Sequence, residues 1–124
     1  MNEKNILAMK PGMELDIEVA REVMDHKVIK DENLGYLERF VSAKDGGSVW
    51  ETVQPYSQDI TAAELVIEKM KEQGQTDTAD WADFGGGAYS EPEAISKAAL
   101  IAVLKIKQSE VADKIIRMAL EDEA

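Results

Sequence analysis

Apolar residues follow a helical spacing in two stretches within the first three quarters of the chain. They recur every three or four positions between Met13 and Met24, and again between Ser57 and Gly74. Either Ser57 or Asp59 can cap the start of the second helix, because both side chains accept hydrogen bonds from free backbone N–H groups. Gly74 suits the left-handed position that follows a last helical turn. The pattern therefore predicts one helix in each stretch.

A capping box predicts where the C-terminal part of the chain becomes helical. Ser90 can act as the N-cap with Glu93 three residues later, and Pro92 is tolerated in a first turn. The residues that follow, 94–107, are apolar nearly all round, which is typical of a central helix covered on several sides. Ser109 can cap a separate final helix with an apolar stripe. That stripe consists of Val111, Ala112, Ile115, Ile116, Ala119 and Leu120.

Strand and turn patterns lie between the helical stretches. The segments rich in β-forming residues are 27–30, 36–41 and 49–53. Asp45–Gly47 is a turn signal, so a hairpin is predicted around it. One more short strand is predicted around Trp81 and Phe84. The first ten residues show no clear period.

The order of these elements predicts an α+β fold in a single domain spanning residues 1–124. Residues 13–107 are expected to form a small α/β/α sandwich, with an antiparallel β region and two C-terminal helices packed on it. Hairpins take the place of repeated βαβ units, which argues against a doubly wound sheet. The extra helix over 108–124 either packs back or meets another copy as an oligomerisation element, and a homo-oligomer is expected.

Composition narrows the range of chemistry. The chain has no cysteine, one histidine and a formal net charge of −11. A disulfide scaffold, an Fe–S site and a thiolate zinc site are therefore excluded, and His26 is the one imidazole base. We expect a non-enzymatic protein with no catalytic residue, no metal and no cofactor. The acid excess argues against a duplex nucleic acid partner. No apolar run approaches the roughly 20 residues of a membrane span, so a cytoplasmic protein without a membrane partner is expected.

A glycine-rich junction is the first candidate ligand site. It joins aromatic rings, a flexible backbone and a helix N-terminus, where free N–H groups attract anions and rings offer stacking surfaces. The candidate ligand-binding residues are Trp81, Phe84, Gly85, Gly86, Gly87, Tyr89 and Ser90. The competing interpretation is a tight turn whose aromatic rings belong to the core. Glu91 and Glu93 favour that interpretation, because their charges oppose a phosphate at this helix start.

Arginine is scarce in this chain, so each arginine is a candidate anchor for an anionic ligand. The chain has Arg21, Arg39 and Arg117, and a guanidinium is the preferred bidentate anchor for a phosphate. Arg39 lies in a β segment beside Tyr36 and Phe40, which makes it the first candidate. Arg117 lies among apolar neighbours on the last helix and could reach across an oligomer interface. Both arginines could equally form surface salt bridges.

Two motifs resemble a known family. They are Pro-Tyr-Ser-Gln-Asp-Ile-Thr-Ala-Ala at 55–63 and Glu-Pro-Glu-Ala-Ile-Ser-Lys-Ala-Ala-Leu at 91–100. Together with residues 17–24, they resemble small phage and prophage proteins that carry the phage ABA sandwich domain. The resemblance covers most of residues 13–105. The chain departs from the family at Glu64, where many members have Trp, and in its extension from Lys107 onward.

This resemblance implies an α/β/α sandwich in a phage-encoded accessory protein of the host cytoplasm. In coarse outline the chain is also similar to the Thoeris anti-defence sponges, which sequester cyclic ADP-ribose or cyclic oligonucleotide signals. The expected function is thus sequestration of a small anionic nucleotide ligand between subunits by Arg39, Phe84, Tyr89 and the glycine loop at 85–87. The alternative is an acidic interaction protein that occupies a basic surface of a host protein. A phage structural or housekeeping domain is a third hypothesis.

Overall fold

The structure, a computed structural model, describes residues 2–41, 46–75, 78 and 80–122. It confirms an α+β fold. In chain order, the elements are helices α1 (Glu3–Ala8) and α2 (Met13–Glu18), a π-helical turn (Val19–Val23), strands β1 (Val28–Asp31), β2 (Gly35–Val41) and β3 (Ser48–Thr52), helix α3 (Ile60–Glu72), a 3₁₀ turn (Trp81–Asp83) and helix α4 (Glu91–Asp122).

The three strands form an antiparallel sheet in the order β1-β2-β3, as the hairpin pattern predicts; Asp45 of the predicted turn lies outside the described residues. Side chains of paired residues share a face. The inner face contains Val28 and Tyr36, which pack against the helical core. The outer face contains Ile29, Arg39 and Trp50, all of which are exposed. The helical core therefore lies against the inner face.

The core forms where the first half of α4 meets α2, the π-helical turn and α3. Ile95, Ala99 and Leu100 of α4 are at most 2% exposed, which confirms the predicted central helix. Val19 and Val66 supply the facing apolar side chains and are fully buried. Close packing of this kind contributes most of the free energy that favours folding, because it removes apolar surface from water.

Both ends of α3 follow the sequence prediction. Of the two candidate caps, Asp59 is the one used, and its Oδ1 accepts a hydrogen bond of 2.9 Å from the Thr61 N–H. Gly74 has a φ of +88°, the left-handed conformation expected after the last turn. The Ser57 side chain is buried and hydrogen-bonds to Asp16 instead.

The prediction of a separate helix beginning at Ser109 is wrong. Helix α4 is continuous over 32 residues. No glycine or proline interrupts the sequence after Pro92, and a serine within a helix costs only a few tenths of a kcal/mol, roughly. Although α4 is long, no helix of the described residues is both long and apolar enough to cross a membrane.

The strand predicted around Trp81 and Phe84 is also wrong. These residues belong to a 3₁₀ turn and the position that follows it. In a 3₁₀ helix, side chains three positions apart eclipse one another, so both rings reach the same core. The first ten residues contain one element that their pattern does not reveal, helix α1, which Asn2 caps. One buried residue, Ile6, is too few to produce a visible period.

Candidate anion-binding cleft

His26 lies at the junction between the π-helical turn and β1. The turn ends with two backbone hydrogen bonds, from Met24 N–H to Val19 O at 3.0 Å and from His26 N–H to Ala20 O at 2.9 Å. Between them Asp25 has a φ of +57°, the one left-handed non-glycine residue among those described. Aspartate tolerates this conformation better than most residues. The reversal directs the chain from the helix into the sheet, which leaves His26 half-buried beside Phe40.

A buried carboxylate fixes the His26 ring. Glu38, on the inner face of β2, is fully buried. Its Oε1 is 2.7 Å from His26 Nδ1 and accepts a 2.6 Å hydrogen bond from the Tyr56 hydroxyl, while its Oε2 accepts one of 2.7 Å from Gln54 N–H. Gln54 N–H can only donate and the Tyr56 hydroxyl donates to the same carboxylate, so we assign the Nδ1–H of His26 as the third donor to Glu38. Nε2 is then the ring nitrogen available to a ligand.

The same carboxylate affects Tyr56. Burial raises the pKa of the Tyr56 hydroxyl well above its ordinary value, and the hydrogen bond to Glu38 and the negative charges of Glu38 and Asp16 raise it further. Tyr56 therefore remains a neutral donor at physiological pH. It acts as a fixed support for Glu38 and, through Glu38, for His26.

Basic side chains converge on a cleft beside His26. The cleft has a volume of about 330 Å³, and its lining includes His26, Lys27, Arg39 and Lys69. Lys27 and Arg39 are brought together by strand pairing, because Arg39 N–H donates to Lys27 O at 3.0 Å. Lys69 comes from α3. Asp25 is the one acidic residue of the lining among the described residues. In a chain of net charge −11, this is a local concentration of positive charge.

An adjoining recess shares part of this lining. It contains His26 and Lys69 together with Phe40 from β2 and two acids of α3, Glu68 and Glu72. The basic cleft and the more acidic recess therefore meet at His26 and Lys69. An anion is favoured on the Arg39 side of this boundary, since like charges repel it on the other.

A second buried carboxylate holds the segment on the far side of Tyr56. Asp16 of α2 is 2% exposed, and it accepts hydrogen bonds from Ser57 N–H at 2.7 Å, Ser57 Oγ at 2.6 Å and Gln58 Nε2 at 2.9 Å. Ser96 of α4 donates to Tyr56 O at 2.9 Å. The Pro-Tyr-Ser-Gln motif is thus held between two buried carboxylates and one helix. Its polar residues have structural partners.

The aromatic rings of the glycine-rich junction pack against the rest of the protein and against each other. Trp81 and Phe84 pack against the core. The Tyr89 ring stacks with Phe84 at a centroid distance of 6.3 Å, and the Lys97 ammonium lies 3.9 Å from its centroid. Gly85 has a φ of +87°, and a Cβ there would be 2.5 Å from Tyr89 Cδ2. These contacts correspond to the interpretation of the junction as a tight turn.

The remaining predicted ligand residues lie outside the cleft lining. Gly86 and Gly87 continue the exposed turn, and Ser90 O accepts the first helical hydrogen bond of α4 from Ala94 N–H at 2.8 Å. Arg117 lies on the exposed end of α4. Of all the predicted site residues, Arg39 is the one that lines the cationic cleft.

Sequence reasoning missed the other basic residues of the cleft. A signal existed for Lys27, because pairing the predicted strands through the turn at Asp31–Gly35 places it opposite Arg39. Lys69 reaches the cleft through tertiary packing of α3, which no local pattern reports. Among the described residues, no group of three or more His, Asp or Glu side chains is placed to hold a metal ion.

Comparison with protein-family models, with curated proteins and with solved structures finds no match to this chain. The resemblance to the phage ABA sandwich domain and to the anti-defence sponges therefore stays a prediction. The basic lining of the cleft is the feature of the structure that bears on function.

Proposed function

We propose that the protein binds a small anionic, nucleotide-type ligand in the cationic cleft and sequesters it without turnover. The observation that carries this proposal is the convergence of Arg39, Lys27 and Lys69 on one cleft beside His26 in a chain of net charge −11. The three positive charges repel one another, and a bound anion offsets that repulsion. A guanidinium supplies a bidentate contact to a phosphate, and the lysines add point charges.

The outer face of the sheet offers a surface for the nucleobase. Trp50 is the register partner of Arg39, so the two side chains leave the sheet on the same face, with Cβ atoms about 5 Å apart. The Trp50 side chain is 38% exposed, and base–aromatic stacking is worth about 1–3 kcal/mol per base. The cleft is near the lower limit of about 300 Å³ for ligand pockets. We therefore assign it to one phosphate group and Trp50 to the attached base.

Sequestration fits the lining of the cleft better than nucleophilic catalysis does. Glu38 orients His26 through Nδ1, as a general base is oriented, but the cleft lining contains no hydroxyl or thiol among the described residues. The cleft can therefore position charge, but it offers no such nucleophile for His26 to activate. Cyclic ADP-ribose isomers and cyclic oligonucleotides are the ligands suggested by the resemblance to anti-defence sponges, and they form part of this proposal.

Calorimetry with a defined ligand panel tests the proposal. The panel contains cyclic ADP-ribose isomers, cyclic di- and trinucleotides, and inorganic phosphate as the minimal anion. We expect at least one nucleotide to bind, with an affinity that falls as salt rises because exposed charges are screened. Arg39→Gln should weaken binding by about tenfold, the loss of one charged hydrogen bond. No heat and no thermal shift with any member of the panel would overturn the proposal.

Matched variants show whether the cleft is the site. Lys69→Gln should weaken binding by about fivefold, on the order of 1 kcal/mol, whereas Lys71→Gln, two residues further along α3, should leave it unchanged. Arg21→Gln is the corresponding control for Arg39→Gln, since Arg21 is exposed and outside the cleft lining. Arg117→Gln tests the second arginine of the sequence prediction. Equal effects of Lys69→Gln and Lys71→Gln would show that general charge, and not the cleft, binds the ligand.

A second candidate function rests on the acidic face of α3. Glu64, Glu68 and Glu72 are exposed at successive i,i+4 positions, and such a column fits a basic surface of another protein. This candidate is the acidic inhibitor of a host protein. The combined variant Glu64→Gln, Glu68→Gln and Glu72→Gln should then abolish salt-sensitive capture of a partner from host lysate. Nucleotide binding should be kept or strengthened, because Glu68 and Glu72 line the recess beside the cleft. Absence of any salt-sensitive partner would count against it.

A further inference from the structure

His26 connects a buried carboxylate to the cationic cleft. Its Nδ1 lies 2.7 Å from Glu38 Oε1, and its ring meets that of Phe40 edge-on at a centroid distance of 4.6 Å. The side chain is 17% exposed, whereas that of Glu38 is fully buried. The imidazole also lines both the cleft and the adjoining recess. With Nδ1 donating to Glu38, a further proton can bind only at Nε2, the nitrogen available to a ligand.

The buried carboxylate favours a second proton on His26. Glu38 accepts hydrogen bonds from the Tyr56 hydroxyl at 2.6 Å and from Gln54 N–H at 2.7 Å. With His26 as the third donor, a carboxylate satisfies all three partners without a proton of its own. His26 is the one ion-pair partner of Glu38 among the described residues. A carboxylate behind an imidazole stabilises the imidazolium, as in a Ser-His-Asp triad, so the additional proton is held by His26.

The basic side chains of the cleft have the opposite effect on His26. The charged groups that contact His26 or line the two cavities beside it come from the turn before β1, from β1 and β2, and from α3. They are Asp25, Lys27, Glu38, Arg39, Glu68, Lys69 and Glu72. The three bases share the cleft with His26 and repel a positive charge at Nε2. An anion in the cleft offsets these charges and attracts the proton.

We propose that the cleft takes up one proton at His26 Nε2 when it binds an anion, so that the protein holds its ligand more tightly at lower pH. The proton comes from solvent and adds to the Nε2 lone pair, and the new N–H donates to an oxygen of the anion. Because the bound state carries one proton more than the free state, affinity falls as the pH rises. Histidine side chains change charge between about pH 5 and pH 8, so the coupling acts near neutral pH. It rests on the proposed anion site and makes that site sensitive to pH.

Nuclear magnetic resonance of the unmodified protein tests the coupling. His26 is the one histidine of the chain, so its ring signals are identified at once, and long-range ¹H–¹⁵N spectra distinguish the Nδ1–H, Nε2–H and doubly protonated rings. The probe is sulfate at about 0.1 M, with chloride at equal ionic strength as the control for screening. We expect the Nδ1–H tautomer at about pH 8. At about pH 6.5, where sulfate keeps its full charge, the ratio of protonated to neutral His26 should be at least about twofold higher in sulfate. An equal ratio in the two salts would overturn the proposal.

Two variants of α3 show whether the sulfate acts from the cleft. Lys69→Gln should reduce the difference between sulfate and chloride, because Lys69 lines the cleft with His26 and helps to hold the anion there. Lys71→Gln, at an exposed position of the same helix outside that lining, should leave the difference unchanged. Equal effects of the two variants would show that His26 responds to the general charge of the protein, which contradicts the proposal.

The pH dependence of nucleotide binding separates this coupling from the proposed function. A cyclic dinucleotide is the ligand for calorimetry, because its phosphodiesters keep their charge near neutral pH. One linked proton changes affinity by at most about tenfold per pH unit, and we expect at least about fivefold tighter binding at pH 6 than at pH 8. His26→Gln, whose amide can donate to Glu38 but takes up no proton, should show less than about a twofold difference between these pH values.

The two measurements fail independently. Nucleotide binding by the parent with the same affinity at both pH values would overturn the coupling and leave the proposed function intact. A sulfate-dependent rise in protonated His26, without binding of any nucleotide, would support the coupling and count against nucleotide sequestration.

Discussion

The two halves of helix α4 have opposite surroundings. Each contains an isoleucine close to a lysine, Ile95 and Lys97 in the first half and Ile115 and Lys114 in the second. Ile95 is 1% exposed, whereas Ile115 is 61% exposed. The difference arises because α1, α3 and the 3₁₀ turn pack against the first half and leave the residues from Gln108 to Leu120 exposed. We call this exposed part of α4 the arm. The same residue types therefore have different roles in the two halves, depending on which elements pack against them.

The lysines show this difference most clearly. Lys97 is 1% exposed, yet its ammonium has a full set of partners. It donates to Glu93 Oε2 at 2.7 Å and to Leu7 O at 3.1 Å, and it lies over the Tyr89 ring. Lys97 thereby joins α1, α4 and the glycine-rich turn. Lys114 is on the exposed arm, where water solvates its charge.

Replacing these lysines should give the largest difference in free energy of unfolding between the two halves of α4. We expect Lys97→Ala to lower the free energy of unfolding by about 3–5 kcal/mol, because it leaves Glu93 largely buried without its cation. Lys114→Ala, the matched change on the arm, should alter it by less than about 0.5 kcal/mol. Urea unfolding at low protein concentration measures both values while the chain is monomeric.

A double variant sharpens this result. Lys97→Met combined with Glu93→Leu removes both charges together, and such replacements of a buried ion pair are often neutral or stabilising. We expect it to recover most of the stability lost in Lys97→Ala. If Lys97→Ala and Lys114→Ala unfold at the same urea concentration, Lys97 does not join the three elements as described.

Truncating the isoleucines should have the next largest effect. Ile95→Ala leaves a cavity in the core and should cost about 2–5 kcal/mol. Ile115→Ala removes the same atoms from an exposed site, so the unfolding free energy of the monomer should change by less than about 0.5 kcal/mol. Thermal and urea unfolding of dilute protein give the comparison. Equal destabilisation by the two variants would show that the arm packs against its own body.

Local patterns were sufficient to predict much of the fold. The period of apolar residues locates α3, and the cap at Asp59 and the left-handed Gly74 follow from the chemistry of helix ends. The antiparallel sheet follows from turn residues between β-forming segments. The failures occur where tertiary contacts override propensity: Trp81 and Phe84 form a 3₁₀ turn because this places both rings on the core.

The candidate site was less predictable than the fold. Arg39 was identified because arginine is scarce and phosphates favour guanidinium. Lys69 and His26 converge with it only after α3 and the π-helical turn pack together. The buried ionic groups gave no local signal either, because Asp16, Glu38 and Lys97 look like surface charges in sequence. Apart from the i,i+4 pair of Glu93 and Lys97, their partners are distant along the chain, so a periodicity cannot reveal them.

Titration of Tyr56 tests the buried hydrogen bond between its hydroxyl and Glu38, in a residue whose main-chain oxygen also accepts a hydrogen bond from Ser96 of the first half of α4. The fold raises the pKa of Tyr56, so the native state keeps a proton that the unfolded chain releases near pH 10. Stability from this group is present below pH 10 and is lost as the pH rises above it. The expected slope is about 1.4 kcal/mol per pH unit for one proton.

Tyr56→Phe removes both the hydrogen bond and this titration. At pH 7 we expect it to lower the unfolding free energy by about 1–3 kcal/mol, because buried Glu38 loses a donor. Above pH 10 its stability should fall less steeply than that of the parent, so the two curves converge. Tyr36→Phe, with Tyr56 intact, should keep the steep alkaline fall. Parallel curves for Tyr56→Phe and the parent, followed by urea unfolding from about pH 8 to pH 11, would show that Tyr56 does not retain its proton in the folded state.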